Sequence, residues 1–370
     1  MIERPIRGQK YPYRAKFWPL IFLHTGPERH LDSVLLAPYV AGLSKQPRFA
    51  GDRATRTHSC RSTISTQRAR ECTRYSSATM DWTLGGHMPK REARNPTSAK
   101  GDWYIDDRCI NCAASREVAP GLIVEHGDKS VFARQPVTED DTRAAWRAAL
   151  LCPTASIGKE GRREQPPGLF PQQLEPGIYR CGYNARSSFG AHSYFIQRKE
   201  GNVLIDSPRY VGKLVDAFNQ MGGLTDILLS HQDDVADADK YADRFSARVW
   251  IHEDDRSAAP YATNLLKGIE ITNIGGNLIA IPVPGHTRGS VVYLWRDTYL
   301  FSGDSLAWSR ETHDLIAFRQ ACWYSWSELK HSLGRLGQHR FEWILPGHGH
   351  SVHLPAAEMS TRLQALVDRM

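Results

Sequence analysis

From Ile178 to the C-terminus, short apolar runs alternate with helical stretches, and that alternation leaves few folds open. His192–Gln197 and Val203–Ile205 flank Lys199-Glu200-Gly201 as a hairpin, and Val211–Met221 has helical spacing. Ile227–Ser230, Arg248–Ile251 and Leu278–Pro282 read as strands. Ser290–Trp295 and Thr298–Ser302 are joined by a tight turn at Arg296-Asp297, Glu342–Leu345 is a last strand, and Ala356–Val367 a last helix. Strands alternating with helices bury both faces of a sheet, which predicts an α/β layered domain with mixed sheets.

At 370 residues the chain exceeds one average domain, and 41% apolar residues suffice for a sizeable core. No apolar run reaches the ~18–20 residues needed to span a bilayer. The net charge of +7 is unevenly placed: residues 1–80 carry 14 Lys/Arg against 5 Asp/Glu, and the remainder 33 against 35. The excess positive charge therefore lies outside the folded part, which excludes nucleic acid as a partner. Residues 1–80 show no periodicity, and Arg48–Tyr75 is rich in Arg, Ser and Thr. Such a stretch cannot bury enough apolar surface to offset its ordering entropy. It is expected to be a disordered tail, a transit-like segment, or upstream sequence before a start at Met80 or Met88; the last is preferred. Residues 81–158 form a small Cys-bearing domain, 159–176 a linker rich in Gly, Pro and charge, and 177–370 the large domain. The expected location is cytoplasmic, or an organelle such as the chloroplast if residues 1–80 are a transit peptide. The expected partners are a small-molecule substrate and a redox partner, with no membrane contact.

Three of the seven cysteines form a pattern: Cys109-Ile-Asn-Cys112, then Cys152-Pro153. A close pair plus a distant Cys-Pro suggests soft-metal ligation, because thiolates two residues apart on a turn can face one cluster. The segment resembles a single-cluster bacterial-type ferredoxin, in which C-x2-C-x2-C is closed by a remote Cys-Pro. Trp103–Asp106 would lead into the cluster loop, and Asp141–Leu151 would deliver Cys152. Ser115 stands in the third cysteine position. Serine's alkoxide is harder than a thiolate and forms only at far higher pH. Three outcomes follow: a [3Fe–4S] centre, a labile [4Fe–4S] centre, or an empty domain kept for its fold.

In the large domain, residues that ligate metals stand at strand ends: His231 and Asp233 after Leu228-Leu229-Ser230, His286 in Pro284–Ser290, Asp304 after Ser302-Gly303, and His348 in Pro346–His350. Small neighbours let the backbone approach closely. Asp206, the cluster at His231, Gly-His-Thr-x-Gly-Ser, Ser-Gly-Asp and Pro-Gly-His-Gly occur in the order seen in the metallo-β-lactamase superfamily, which residues 177–370 resemble. The resemblance implies an αβ/βα sandwich, preceded here by a small α+β ferredoxin-like domain. It makes Asp206 the buried brace of the ligand loops, His231 and His286 ligands of a first metal, Asp304 a bridge, and His348 a ligand of a second.

The family's His-x-His-x-Asp-His is replaced by His231-Gln-Asp-Asp-Val-Ala-Asp237. Asp233 then takes the second histidine's place, and the second ion keeps only Asp304 and His348 unless Asp237 shifts in. One or two divalent ions are expected, Zn, Fe or Mn, with the extra carboxylates favouring the harder two. The resemblance implies a metal-dependent hydrolase of glyoxalase-II type. Metal-activated hydroxide would attack an ester or thioester-like carbonyl, with Asp233 or Asp237 orienting the water or acting as base. The alternative is a non-catalytic redox or metal-sensing adaptor. A cluster-fed iron oxidoreductase would need two irons, which the thinned second site disfavours. Asp234 and Asp239 read as helix-start carboxylates. His350 and His353 read as motif neighbours, and Trp323, Tyr324 and Trp326 as core.

Overall fold

The computed structural model describes residues 88–370 apart from Arg162 and Arg163, so the N-terminal segment lies outside the described residues. In the small domain, strand Trp103–Ile105 pairs antiparallel with Ile157–Lys159, tying the segment's two ends together. A hairpin of Ile123–His126 and Lys129–Phe132 lies between them in sequence. Helix Glu139–Leu151 begins with a capping box. Thr138 Oγ1 accepts from the Asp141 N–H at 3.0 Å while the Asp141 carboxylate accepts from the Thr138 N–H, an arrangement worth about 1 kcal/mol. The Trp103 and Trp146 rings meet edge-on at 5.0 Å, fixing this helix against the strand whose loop carries Cys109.

The large domain is built on two sheets. The first runs, in spatial order, Asn264–Leu266, Arg248–His252, Asp226–Leu228, Val203–Ile205, Tyr194–Ile196, Ile178–Arg180 and Gln172–Glu175. The second runs Thr272–Gly275, Leu278–Pro282, Val291–Trp295, Tyr299–Gly303, Trp343–Pro346 and Val352–His353. Both sheets contain parallel and antiparallel pairs.

Side-chain alternation shows how the layers stack. Val203, Ile205, Ile178 and Leu228 from the first sheet share one core cluster with Leu278, Tyr293, Phe301 and Leu345 from the second. Leu204 and Ile227, the intervening residues, point away and pack on helices Gly212–Gln220 and Ala238–Phe245. Val292, Leu294 and Ile344 do the same against helices Trp326–Leu336 and Ala356–Arg369. The period-2 reversal on both sheets makes a four-layer αβ/βα sandwich, as the family resemblance implied. The connection between strands Val291–Trp295 and Tyr299–Gly303 spans residues 296–298, one longer than the two-residue turn expected, with Arg296 and Asp297 both at positive φ (57° and 47°).

Gln172–Glu175, assigned by the sequence to the linker, forms the edge strand of the first sheet and pairs with Ile178–Arg180. The misreading has a physical origin: its residues are polar and only partly buried, so nothing in their hydropathy marks a strand. No helix among the described residues is long and apolar enough to cross a membrane.

Candidate metal centre and cluster cavity

The metal-ligating side chains converge where strands of the two sheets end. Strand Asp226–Leu228 delivers His231, and the strand ending at Gly303 delivers Asp304. His286 follows Leu278–Pro282, and His348 follows Trp343–Pro346. One ligand atom from each of His231, His286 and Asp304 lies within 4.8 Å of the others, and the same holds for Asp234, Asp304 and His348. Asp304 belongs to both groups. Asp233, 43% exposed at the mouth, places Oδ2 3.4 Å from His286 Nε2 and 4.0 Å from His231 Nε2.

Asp234 is the departure from the sequence reading. It is not a solvent-facing helix-start carboxylate but is buried, and it completes the second group that otherwise held only Asp304 and His348. The short 3-10 turn Gln232–Asp234 directs adjacent carboxylates to opposite fates, Asp233 to the mouth and Asp234 inward. Gly347 makes room: a Cβ there would meet Asp304 Oδ1 at 2.8 Å and Asp234 Oδ2 at 3.0 Å. Asp237 lies elsewhere. Its Oδ2 accepts from the Tyr210 N–H at 2.7 Å and its Oδ1 pairs with Lys240 at 2.6 Å, at the entry to helix Ala238–Phe245.

Two buried aspartates hold the ligand loops. Asp206 accepts from the Ser230 N–H at 2.7 Å and from the Ser230 hydroxyl at 2.9 Å, and that hydroxyl lies 2.9 Å from His231 Nδ1. Burial raises the Asp206 carboxyl to about 7 despite these bonds. Asp255, which sequence reasoning missed, accepts from the Gln232 N–H, the Thr287 hydroxyl and the Gly289 N–H at 3.0, 2.6 and 3.1 Å. One carboxylate thereby ties the His231 and His286 loops together. No spacing signal could have found it, since its partners lie 23 to 34 residues away.

The electrostatics suit a cation. His231 Nε2, His348 Nε2 and both Asp234 oxygens are buried without a hydrogen-bond partner, and His286 Nε2 meets only carboxylates, at 3.4 and 3.7 Å. Buried polar atoms are normally paired, so this many in one place fit a missing shared partner. Burial pushes His231 down to about 4, leaving a neutral imidazole. Burial and the neighbouring Asp304 raise Asp234, while Asp304 itself is held low because His348, His231 and His286 outweigh its burial. Three imidazoles and three carboxylates form a donor set that a pair of divalent ions fits.

In the small domain, Cys109, Cys112, Cys152 and Ser115 line one cavity. Asn111 and Ala113, at φ 56° and 66°, turn the loop that carries Cys109, Cys112 and Ser115. Backbone N–H groups of Ser130 and Ser156 approach the sulfurs of Cys109 and Cys152 at 3.4 and 3.3 Å. Burial, then the nearby Cys152 and Cys109, push Cys112 up to about 12. Three cysteines facing one cavity, two of them beside amide donors, fit an iron–sulfur cluster.

The two centres adjoin. Glu117, two residues past Ser115, is buried and accepts from Arg180, Arg310 and His350 at 2.9, 2.8 and 2.8 Å, all from the large domain. His350 is thus engaged away from the metal centre, and His353 stacks on Trp343 at 4.7 Å. The loop ending at His192 crosses between the centres. A Cβ on Gly190 would come within 2.9 Å of Cys112 Sγ, the Phe189 ring lies 6.2 Å from that of His348, and the His192 N–H donates to the Gly347 carbonyl at 2.8 Å.

The large domain resembles the metallo-β-lactamase superfamily, and the small domain single-cluster ferredoxins. Residues 105–159 match the family described as "4Fe-4S single cluster domain of Ferredoxin I". The chain is 30% identical over 124 residues to the uncharacterized protein YmaE of Bacillus subtilis (strain 168), covering 33% of this chain and 45% of that one. It is 29% identical over 119 residues to a hydroxyacylglutathione hydrolase of Acidiphilium cryptum (strain JF-5), covering 31% and 49%. The chain thus spans about half the length of the curated relatives it matches. The solved structure of the DIM-1 metallo-β-lactamase exposed to ceftazidime superposes with a TM-score of 0.42 at 19% identity, over 54% of this chain and 95% of that one.

Trp323 and Tyr324, expected in the core, are 52% and 48% exposed. Their backbone N–H groups donate to the His286 carbonyl at 2.8 and 3.1 Å, and the Trp323 ring lies 6.3 Å from the His286 imidazole. Aromatic clusters and binding walls have the same composition, so sequence alone cannot separate them.

Proposed function

We propose that the protein is a metal-dependent hydrolase acting on an ester or thioester-like carbonyl, with the ferredoxin-like module appended as an iron–sulfur domain. The carrying observation is the convergence of metal-ligating side chains from four loops on two groups that share Asp304, with the donor atoms of three of those loops buried and partnerless. His231, His286, Asp233 and Asp304 would hold one divalent ion, and Asp234, Asp304 and His348 a second. Bound there, the ions supply Lewis acidity and a water acidic enough to ionise near neutral pH. Asp233 stands at the solvent-facing mouth, where the carboxylate oxygen it does not give to the ion would orient the attacking water and accept its proton. Asp206 and Asp255 keep the imidazoles aimed. Trp323 and Tyr324 offer an apolar wall to the acyl chain or the leaving group.

Metal analysis with turnover of a panel of thioesters and esters tests this reading. His231→Ala and His286→Ala should lose metal and turnover together. Stoichiometric metal with no turnover of any acyl substrate would instead support the redox or metal-sensing adaptor, a reading favoured by the buried Glu117 contacts between the two centres.

A further inference from the structure

Four side chains able to ligate iron line the cluster cavity, and they are not equivalent. Cys109, Cys112 and Cys152 present sulfur; Ser115 presents a hydroxyl to the same cavity. Ser115 sits in the first turn of helix Ala114–Val118 and is buried, and its hydroxyl makes no hydrogen bond among the described residues that would divert it. The helix is firmly placed, because Glu117 one half-turn later is anchored by Arg180 and Arg310. Among the described residues Ser115 therefore holds that corner. Cys181 is fully buried in the large domain's core, and Cys322 donates to the Gly285 carbonyl at 3.0 Å beside the metal centre, so neither supplies the missing thiolate.

Taking the cavity as a cluster site, we infer that the iron at the Ser115 corner is exchangeable, so that this domain binds and releases one ferrous ion while the other three irons stay. Thiolate is a soft ligand that iron holds well, whereas a serine hydroxyl is harder and far less acidic than a thiol, so that corner is the weak one. The reaction balances without an external electron: a [4Fe–4S] core of charge 2+ releases Fe2+ and leaves a neutral [3Fe–4S] core, and added Fe2+ reverses it. With ferricyanide present, one further electron leaves, giving the paramagnetic three-iron core of charge 1+ and ferrocyanide. The ligand of the open corner is thus free ferrous ion.

The test uses the full chain reconstituted anaerobically with iron and sulfide, alongside Ser115→Cys, which restores the third thiolate. Wild type treated with ferricyanide and a chelator should lose a quarter of its cluster iron and gain the three-iron EPR signal. Ferrous 57Fe added back with dithionite should abolish that signal and label a single site in the Mössbauer spectrum. Ser115→Cys should keep all its iron and show neither signal nor label uptake. Wild type that resists exchange as Ser115→Cys does, or that takes up no cluster while Ser115→Cys does, would overturn the exchangeable corner alone. Failure of both proteins to hold any cluster would overturn the reading of the cavity itself.

Discussion

Replacing Glu117 by glutamine keeps the shape of the side chain and removes its charge from among Arg180, Arg310, His350 and the nearby His192. Burial alone would raise this carboxyl, but the His350 hydrogen bond and the two arginines outweigh it and hold it at about 2, against 4.5 for an ordinary glutamate. That depression corresponds to about 3 kcal/mol of folding stability. Arg180, buried on the other side of the pair, would be left without its carboxylate, and breaking such a pair costs about 3–5 kcal/mol. The stabilisation belongs to the ionised carboxylate, so it is complete above the unfolded value and disappears as pH falls toward the folded one. Urea unfolding followed by tryptophan fluorescence should show Glu117→Gln about 3 kcal/mol less stable at pH 7 and pH 5.5, with the gap falling to about half by pH 3. A gap under about 0.5 kcal/mol at pH 7, or one that stays constant down to pH 3, would refute the reasoning.

Asp255→Ala unties the His231 and His286 loops without removing a ligand, and metal affinity by competition titration should fall about 10–100-fold while the fold persists by circular dichroism. Asp234→Asn should leave one ion bound tightly and weaken the other by about tenfold or more, whereas Asp237→Asn should leave metal content unchanged. Gly190→Ala places a methyl 2.9 Å from Cys112 Sγ at a φ of +90° and should destabilise the chain by about 1–3 kcal/mol, read as a lowered urea midpoint.

Short unbroken apolar runs between helices made the sandwich legible: Val203, Leu204 and Ile205 are apolar without exception, as a strand covered on both faces requires. His231, His286, Asp304 and His348 were legible because each stands beside small residues at a strand end. Asp234 was not, because a carboxylate at a helix entry and one turned into a metal centre occupy the same sequence context. Glu117 and Asp255 act on partners distant in the chain, 233 residues away for His350, and no local pattern records such pairings. The strand Gln172–Glu175 was hidden by its polarity, and Trp323 by an aromatic composition that suits a core equally well.

Anomalous diffraction from crystals of the protein purified with its native metals tests the central claim most directly. Two anomalous peaks are expected, one among His231, His286 and Asp304 and one among Asp234, Asp304 and His348, with Asp304 between them. Full-occupancy metal bound anywhere else, or none at these five residues after growth with iron, manganese and zinc, would contradict the account.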